Sequence, residues 1–421
     1  MNKVLLESTY ASVKALVDQQ LAQHIVDTPA LDGRLIHING REVLHFGSCS
    51  YLGLEMDERL KEASINAIKQ FGTQFSSSRS FTGLKLYQEA EDLLQQIYQK
   101  PVLLAPTTTL GHMSALPVVV GTKDAIILDH QVHMSVKNAA QISKADNTHV
   151  ELVRHNNLEL LEERIIELQK THELVWYMAD GIYSMYGDGA PAKELMALLD
   201  KYERFRLYVD DAHGFSWAGE NGKGYFMSKV EEHHPHLFLT GSMAKSFASA
   251  GGVIVLQDEK QKELVQNCGS TFIFSGPIQP SVLAASIESL KLHLTNEITV
   301  HQNALMERMK HFVACANKYA LPLVSEELSP IFYVGVGSPQ VCRKICNKLM
   351  ENGFYVNPAV FPAVPMQRSG LRITITNHHT MEDIEGLMHT ISVELDQALA
   401  EEGGTREKIF KTFKLPQPVT L

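Results

Sequence analysis

The chain has 421 residues, 44% hydrophobic and 20% charged, a composition that excludes a disordered protein and leaves room for a large core plus a second lobe. Its net charge of −10 gives no reason to expect nucleic-acid binding. The five cysteines, Cys49, Cys268, Cys315, Cys342 and Cys346, are odd in number and lack paired metal spacing, so the expectation is a reducing cytoplasm and no metal site.

The opening run, MNKVLLESTYASVKALVDQQ, has a helical apolar period with charges throughout; it is neither a signal peptide nor a membrane span. LIHINGREVLHF carries two alternating runs around Asn39-Gly40 and predicts a β-hairpin. The loop GSCSYLGL leads to a helix over DERLKEASINAIKQF that stops at Gly72. After the loop FSSSRSFTG a helix is expected over 86–99. Strands then alternate with helices. VLLA, AIILD, HVELVRH, LVWYMAD, RLYVDDAH and LFLTG read as strands or strand ends, with helices near 135–142, 158–171 and 192–202. Such alternation predicts an α/β fold with a mainly parallel mixed sheet flanked by helices.

Past Pro280 a long helical stretch leads to a smaller α+β lobe, with strands IFYVGVG and LRITIT and helices near 341–352 and 381–399. Cys342 and Cys346, four apart on the first of these helices, read as core packing. Asn377-His378-His379 ends a strand and is placed to cap the next helix. The run EEHHPH, with His233, His234 and His236, reads as a solvated loop. The expected divisions are an N-terminal helix and hairpin arm at 1–46, a large domain at 47–290, a small C-terminal domain at 291–400, and a tail at 401–421 with little core.

In a parallel sheet of this kind ligands sit beyond the carboxyl ends of the strands. The chemistry-bearing residues fall there. In TGSMAKSFASAGG one lysine, Lys245, stands among small and hydroxylic residues; if buried, its amine loses hydration and becomes a nucleophile toward a carbonyl. Asp210 follows the apolar run 207–209, so it starts buried and needs a cation partner, a role a protonated pyridine nitrogen would fill. His213 is placed to bond a phenolate oxygen, and His133 to stack on an aromatic ring. Ser242 and Thr107 to Thr109 offer hydroxyls and backbone N–H groups near a helix start, a phosphate cradle. A lysine Schiff base, an acid at the ring nitrogen and a phosphate site are the needs of pyridoxal phosphate.

Nine stretches, in this order and spacing, resemble the α-oxoamine synthase family, pyridoxal-phosphate enzymes of fold type I. They are SYLGL (50–54), SRSFTG (78–83), DHQVHMS (129–135), YSMYGDGAP (183–191), VDDAHGF (209–215), GENGKG (219–224), SMAKS (242–246), FSGPIQP (274–280) and GLRIT (370–374). The resemblance implies that Lys245 holds the cofactor covalently, Asp210 pairs with its ring nitrogen, and His213 and Ser184 contact its ring hydroxyl. It implies that His133 stacks on the ring and steers the acyl carbonyl. It assigns the phosphate to Ser242, Thr108 and Thr109, and the amino-acid carboxylate to Arg372. It also implies a homodimer with shared active sites, Ser275 reaching the neighbour's phosphate.

The chain departs from the family pattern at four places. Thr107-Thr108-Thr109 stands for the usual Ser-Gly-aromatic, Asp180 for a glutamate, and Gly276 for a threonine; VFPAVP (360–365) lacks an arginine found in some members. The expected activity joins a small amino acid to an acyl thioester, most often of coenzyme A, with decarboxylation to an aminoketone. Two other readings stay open at this point: an aminotransferase or lyase of the same fold type, and a non-catalytic protein that binds partners.

Overall fold

The computed structural model describes residues 3–416; the first two residues of the expected N-terminal helix and the tail residues 417–421 lie outside the described residues. Contacts divide the chain into two compact units. One holds Leu52–Ser184 and Gly189–Gln302. The other gathers the chain through Tyr51, the short piece Met185–Asp188 and everything from Asn303 onward.

In the second of these units, β1 (Leu35–Ile38) and β2 (Arg41–His45) form the hairpin expected from Asn39-Gly40. Both turn residues have positive φ, 53° and 74°, the conformation that matches the turn to the strand twist and that asparagine and glycine reach most easily.

The larger unit is built on seven strands: β3 (Val102–Ala105), β4 (Ala125–Asp129), β5 (His149–Val153), β6 (Val175–Asp180), β7 (Phe205–Asp210), β8 (Leu237–Ser242) and β9 (Gly252–Val255). Their order is β3-β9-β8-β7-β6-β4-β5. All neighbours pair in parallel except β9, which runs antiparallel to both β3 and β8. The near-continuous apolar runs of β4, β6 and β8 follow from burial on both faces. Side chains alternate between the faces with period two. Tyr177, Leu207, Val209 and Leu239 join one cluster, with Leu195 and Leu290 from helices. Trp176, Met178, Tyr208 and Phe238 join the other, with Ala115 and Leu116 from helix Thr108–Val119 and Val136 from helix Met134–Ala145. Tyr208 and Asp210, two apart on β7, therefore face the same side.

In the other unit β10 (Ile331–Gly337), β11 (Phe354–Tyr355), β12 (Asn357–Ala359) and β13 (Ser369–Thr374) follow. β13 lies between β10 and β12 in an antiparallel sheet. β11 pairs in parallel with β2, which ties the N-terminal hairpin, read from sequence as a separate arm, to the C-terminal residues. Neither β11 nor β12 was expected; at two and three residues they carry too little pattern to see. Cys342 and Cys346 are buried on helix Pro339–Glu351, as expected.

Two C-terminal expectations change. Helix Met381–Glu402 is capped by Thr380, whose hydroxyl accepts from Asp383 N while the Asp383 carboxylate accepts from Thr380 N, and not by Asn377-His378-His379. The tail is not a coreless extension. Gly403, at φ 65°, ends that helix, and a further helix, Arg406–Phe413, buries Ile409 and Phe410. Arg406 anchors it with bonds to Asp396 and to the carbonyls of Tyr319 and Ala320.

His379 instead serves the core. Its ring stacks on Phe46 with centroids 4.0 Å apart, its Nδ1 accepts from Thr376 N, and Nε2 meets the His45 carbonyl. Burial pushes its imidazole down to about 3, and that of buried His293 in the larger unit to about 4, against an ordinary 6.5. Below 6.5 the unfolded chain takes up protons that the folded chain refuses, so stability is present above that pH and falls as the medium turns acid. Denaturant titrations should lose roughly 2 kcal/mol per histidine between pH 6.5 and pH 5. His379→Phe should reduce the slope of stability against pH by about one proton; an unaltered slope would show that this histidine is not buried neutral.

Candidate active site

The loop after β8 carries Lys245. Met243 N donates to Gly251 O at 2.9 Å, Ser249 N to Met243 O at 3.0 Å and Ala248 N to Lys245 O at 2.8 Å, which fixes the loop's backbone around the lysine. Gly251 sits at φ 128°, open to glycine. At Gly252 a Cβ would lie 2.6 Å from Thr108 N and 2.7 Å from the Thr107 carbonyl carbon. The glycine thus lets β9 press against the first turn of helix Thr108–Val119.

That helix begins at Thr107, whose hydroxyl accepts from Leu110 N at 3.1 Å. Thr108 Oγ1 donates to Gly241 O at 3.2 Å, so the helix start and the Gly241-Ser242 end of β8 are drawn together. Ser242 is buried and its hydroxyl accepts from Ala244 N at 3.1 Å; Thr109 is exposed. Two of the residues expected to bind the phosphate, Thr108 and Ser242, thus lie at one helix start.

Asp180 and Asp210 are register partners at the ends of β6 and β7. Both are buried, and two adjacent buried carboxyls do not share charge equally. Burial pushes Asp210 up, but His112 above all, then Lys245 and His133, outweigh it and hold the carboxyl down at about 2. Asp180 goes the other way: burial and the neighbouring Asp210 charge push it well above its ordinary value. Asp210 is thus the resident anion. Lys245 has no charged neighbour in the sequence, yet its positive charge lowers Asp210, Asp180 and Asp211 and disfavours charge on His133, so the fold gathers these groups around it.

His133 caps helix Met134–Ala145. Its Nδ1 accepts from Ser135 N at 3.3 Å and lies 2.6 Å from Ser135 Oγ, while its backbone N–H donates to Asp180 Oδ1 at 3.0 Å. With Nδ1 as acceptor the proton sits on Nε2, and burial lowers the ring's basicity so that it is neutral at pH 7. His213 is buried, its carbonyl accepting from Trp217 Nε1 at 2.6 Å. Ser184 is half-buried beyond the end of β6. Half-buried Ser275 donates to Thr271 O at 2.6 Å. Arg372 belongs to the other unit, on β13, where the charges of Cys49 and Arg372 both act on the buried Tyr51 hydroxyl.

A buried ionised acid, an amine near it, a neutral imidazole and a glycine-narrowed helix N-terminus form a donor set that fits pyridoxal phosphate. The family model for aminotransferase class I and II matches residues 41–391. An 8-amino-7-oxononanoate synthase of Petrotoga mobilis is 30% identical over 386 residues, covering 90% of this chain and 95% of its own. The chain belongs to the α-oxoamine synthases.

A Bacillus subtilis 8-amino-7-oxononanoate synthase is 27% identical over 90% of this chain and 95% of its own length. In solved structures, the serine palmitoyltransferase of S. paucimobilis shares the fold at a TM-score of 0.85 and 24% identity, covering 93% of this chain and 97% of that one. The synthase is accordingly a pyridoxal-phosphate-dependent acyltransferase that condenses an amino acid with an acyl thioester with loss of carboxylate. Among the described residues no cluster of three or more histidine, cysteine or acidic side chains could hold a metal ion. No helix among them is long and apolar enough to cross a membrane.

Sequence reading missed one polar side chain of the synthase's site. His112 is fully buried on helix Thr108–Val119, with Nε2 2.9 Å from Asp210 Oδ2 and Nδ1 2.8 Å from the Tyr208 hydroxyl. Its signal was present but faint: one helical turn after Thr108, on the face that packs against the even-numbered side of β7.

Proposed function

We propose that the synthase joins a small amino acid to an acyl-coenzyme A in the cytoplasm, as a homodimer with shared active sites. The observation that carries this reading is the ionised Asp210 beneath the lysine loop, a buried negative charge with the character required opposite a protonated ring nitrogen. When bound, the cofactor supplies an electron-withdrawing ring that spreads the charge left on the amino acid's α-carbon.

The chain's residues do the rest. Lys245 Nζ would hold the cofactor and, once free, would carry the substrate's α-proton. Asp210 would keep the ring nitrogen protonated. His213 and Ser184 would bond the ring hydroxyl; Thr108, Thr109 and Ser242 would bind the phosphate. Arg372 takes the substrate carboxylate with its planar fork. His133 would stack on the ring and, with its proton on Nε2, would donate to the acyl carbonyl oxygen where negative charge develops.

The homodimer is supported by two loops of the larger unit that display aromatic rings to the outside. Phe81 is 87% exposed and Phe274 84% exposed, and Ser78 Oγ ties the loops together by donating to Ile273 O at 3.0 Å. Two exposed aromatic rings on loops tied to each other offer apolar surface for a partner subunit. Ser275, next to Phe274, would then reach the neighbour's phosphate. The cytoplasmic reading is supported by five free cysteines, three of them buried.

Incubation of the holoenzyme with glycine, alanine, serine or cysteate and acyl-coenzyme A of increasing chain length tests the proposal. Free thiol should appear with one pairing well above the others, together with carbon dioxide. Consumption of a keto acid without thiol release would establish an aminotransferase instead.

A further inference from the structure

We propose that His112 is a positioning residue for the cofactor: it holds the Asp210 carboxylate as a hydrogen-bond acceptor, fixed in rotation, and Tyr208 holds the imidazole in place to do so. The inference rests on the reading of Asp210 as the partner of the pyridine nitrogen.

The geometry follows from two periodicities. Strand alternation puts Tyr208 and Asp210 on one face of β7, and helix Thr108–Val119 packs on that face. The imidazole of His112 lies between them and meets one with each nitrogen, at 2.8 Å and 2.9 Å. Asp210 Oδ1 accepts from Ala212 N at 3.1 Å, and a backbone N–H can only donate, so that oxygen holds no proton toward it. Oδ2 meets His112 Nε2. Oδ2 meets a ring N–H there, so Nε2 donates to it, and the buried Tyr208 hydroxyl bonds the ring's other nitrogen. Both oxygens of the acid are then held as acceptors, and the carboxylate plane cannot turn.

An apolar side chain would pack here at least as well, since Leu116 and Ala115 line the same cluster. A fully buried ring with both nitrogens bonded is costly to build, which points to the charge on Asp210 and not to packing. The other groups facing Asp210 are the Lys245 amine, the His133 ring and the carboxyls of Asp180 and Asp211. The Asp210 charge in turn pushes the last two carboxyls up. Without the donor from His112, Asp210 takes up a proton at a higher pH.

The test strips the cofactor and titrates the apoprotein with pyridoxal phosphate from about pH 8 to about pH 5.5, reading bound cofactor by its visible absorbance. His112→Leu is expected to bind roughly ten- to a hundredfold more weakly at neutral pH, the loss of one hydrogen bond to a charged group. The deficit should widen toward acid. His112→Gln, whose side-chain N–H can still reach Oδ2, should stay within about threefold of the parent and keep its pH dependence. Tyr208→Phe should show a weaker form of the same acid-side loss, and it decides the matter if His112→Leu does not fold. Parental affinity and pH profile in the leucine and phenylalanine variants would overturn the proposal. So would a pH-independent loss that glutamine does not rescue, the mark of packing alone. Failure of the parent chain to bind the cofactor would instead overturn the reading of Asp210 and this inference with it.

Discussion

Lys245→Ala abolishes the covalent attachment of pyridoxal phosphate. Borohydride reduction followed by peptide mapping should label the 243–251 loop in the parent protein and nothing in the variant, and thiol release from acyl-coenzyme A should fall by about a thousandfold or more. The loop is held by backbone bonds among Met243, Lys245, Ala248, Ser249 and Gly251, none of which needs the lysine side chain. The variant should therefore fold and still bind the cofactor non-covalently through the helix start and Asp210. What it loses is the group that carries the α-proton. A labelled peptide elsewhere, or unchanged turnover, would remove Lys245 from the chemistry.

Asp210→Asn keeps the shape and deletes the charge. Ala212 N can still donate to the amide oxygen, while the amide nitrogen faces His112 Nε2, which can meet it only as an acceptor. On the proposed role of Asp210, the ring nitrogen would no longer be kept protonated and the charge at the α-carbon would lose its sink. Turnover should drop by about a thousandfold, near 4 kcal/mol of transition-state stabilisation, while cofactor occupancy falls far less. The nearby titrations should move too. Asp180 is raised partly by the Asp210 charge, so removing that charge lets Asp180 ionise at a lower pH. Equal losses of occupancy and turnover would make Asp210 a binding group only.

The motif residues became legible for a local reason. Strand, turn and reactive side chain lie within a few residues of one another at each strand end, so the run around Lys245, the Asp210–His213 stretch and the segment at His133 show in a short window. The same holds for the hairpin at Asn39-Gly40 and for the helix that Gly72 ends. The tail after Glu401 looked coreless because its Gly, Lys and Pro content hides two buried residues, Ile409 and Phe410, on a single short helix. A two-residue apolar face has no period to detect.

By itself, then, the amino-acid sequence determined the α/β alternation, the family and the order in which the reactive groups arrive, because each is written in contiguous residues and in periods of 2 and 3.6. The tertiary structure decided what charge those groups carry. Asp180 and Asp210 have the same side chain and the same place at a strand end, yet one is pushed well up and the other held down. That difference comes from His112, 98 residues away along the chain, and from desolvation, which acts only once the sheet and its helices have closed over the pair.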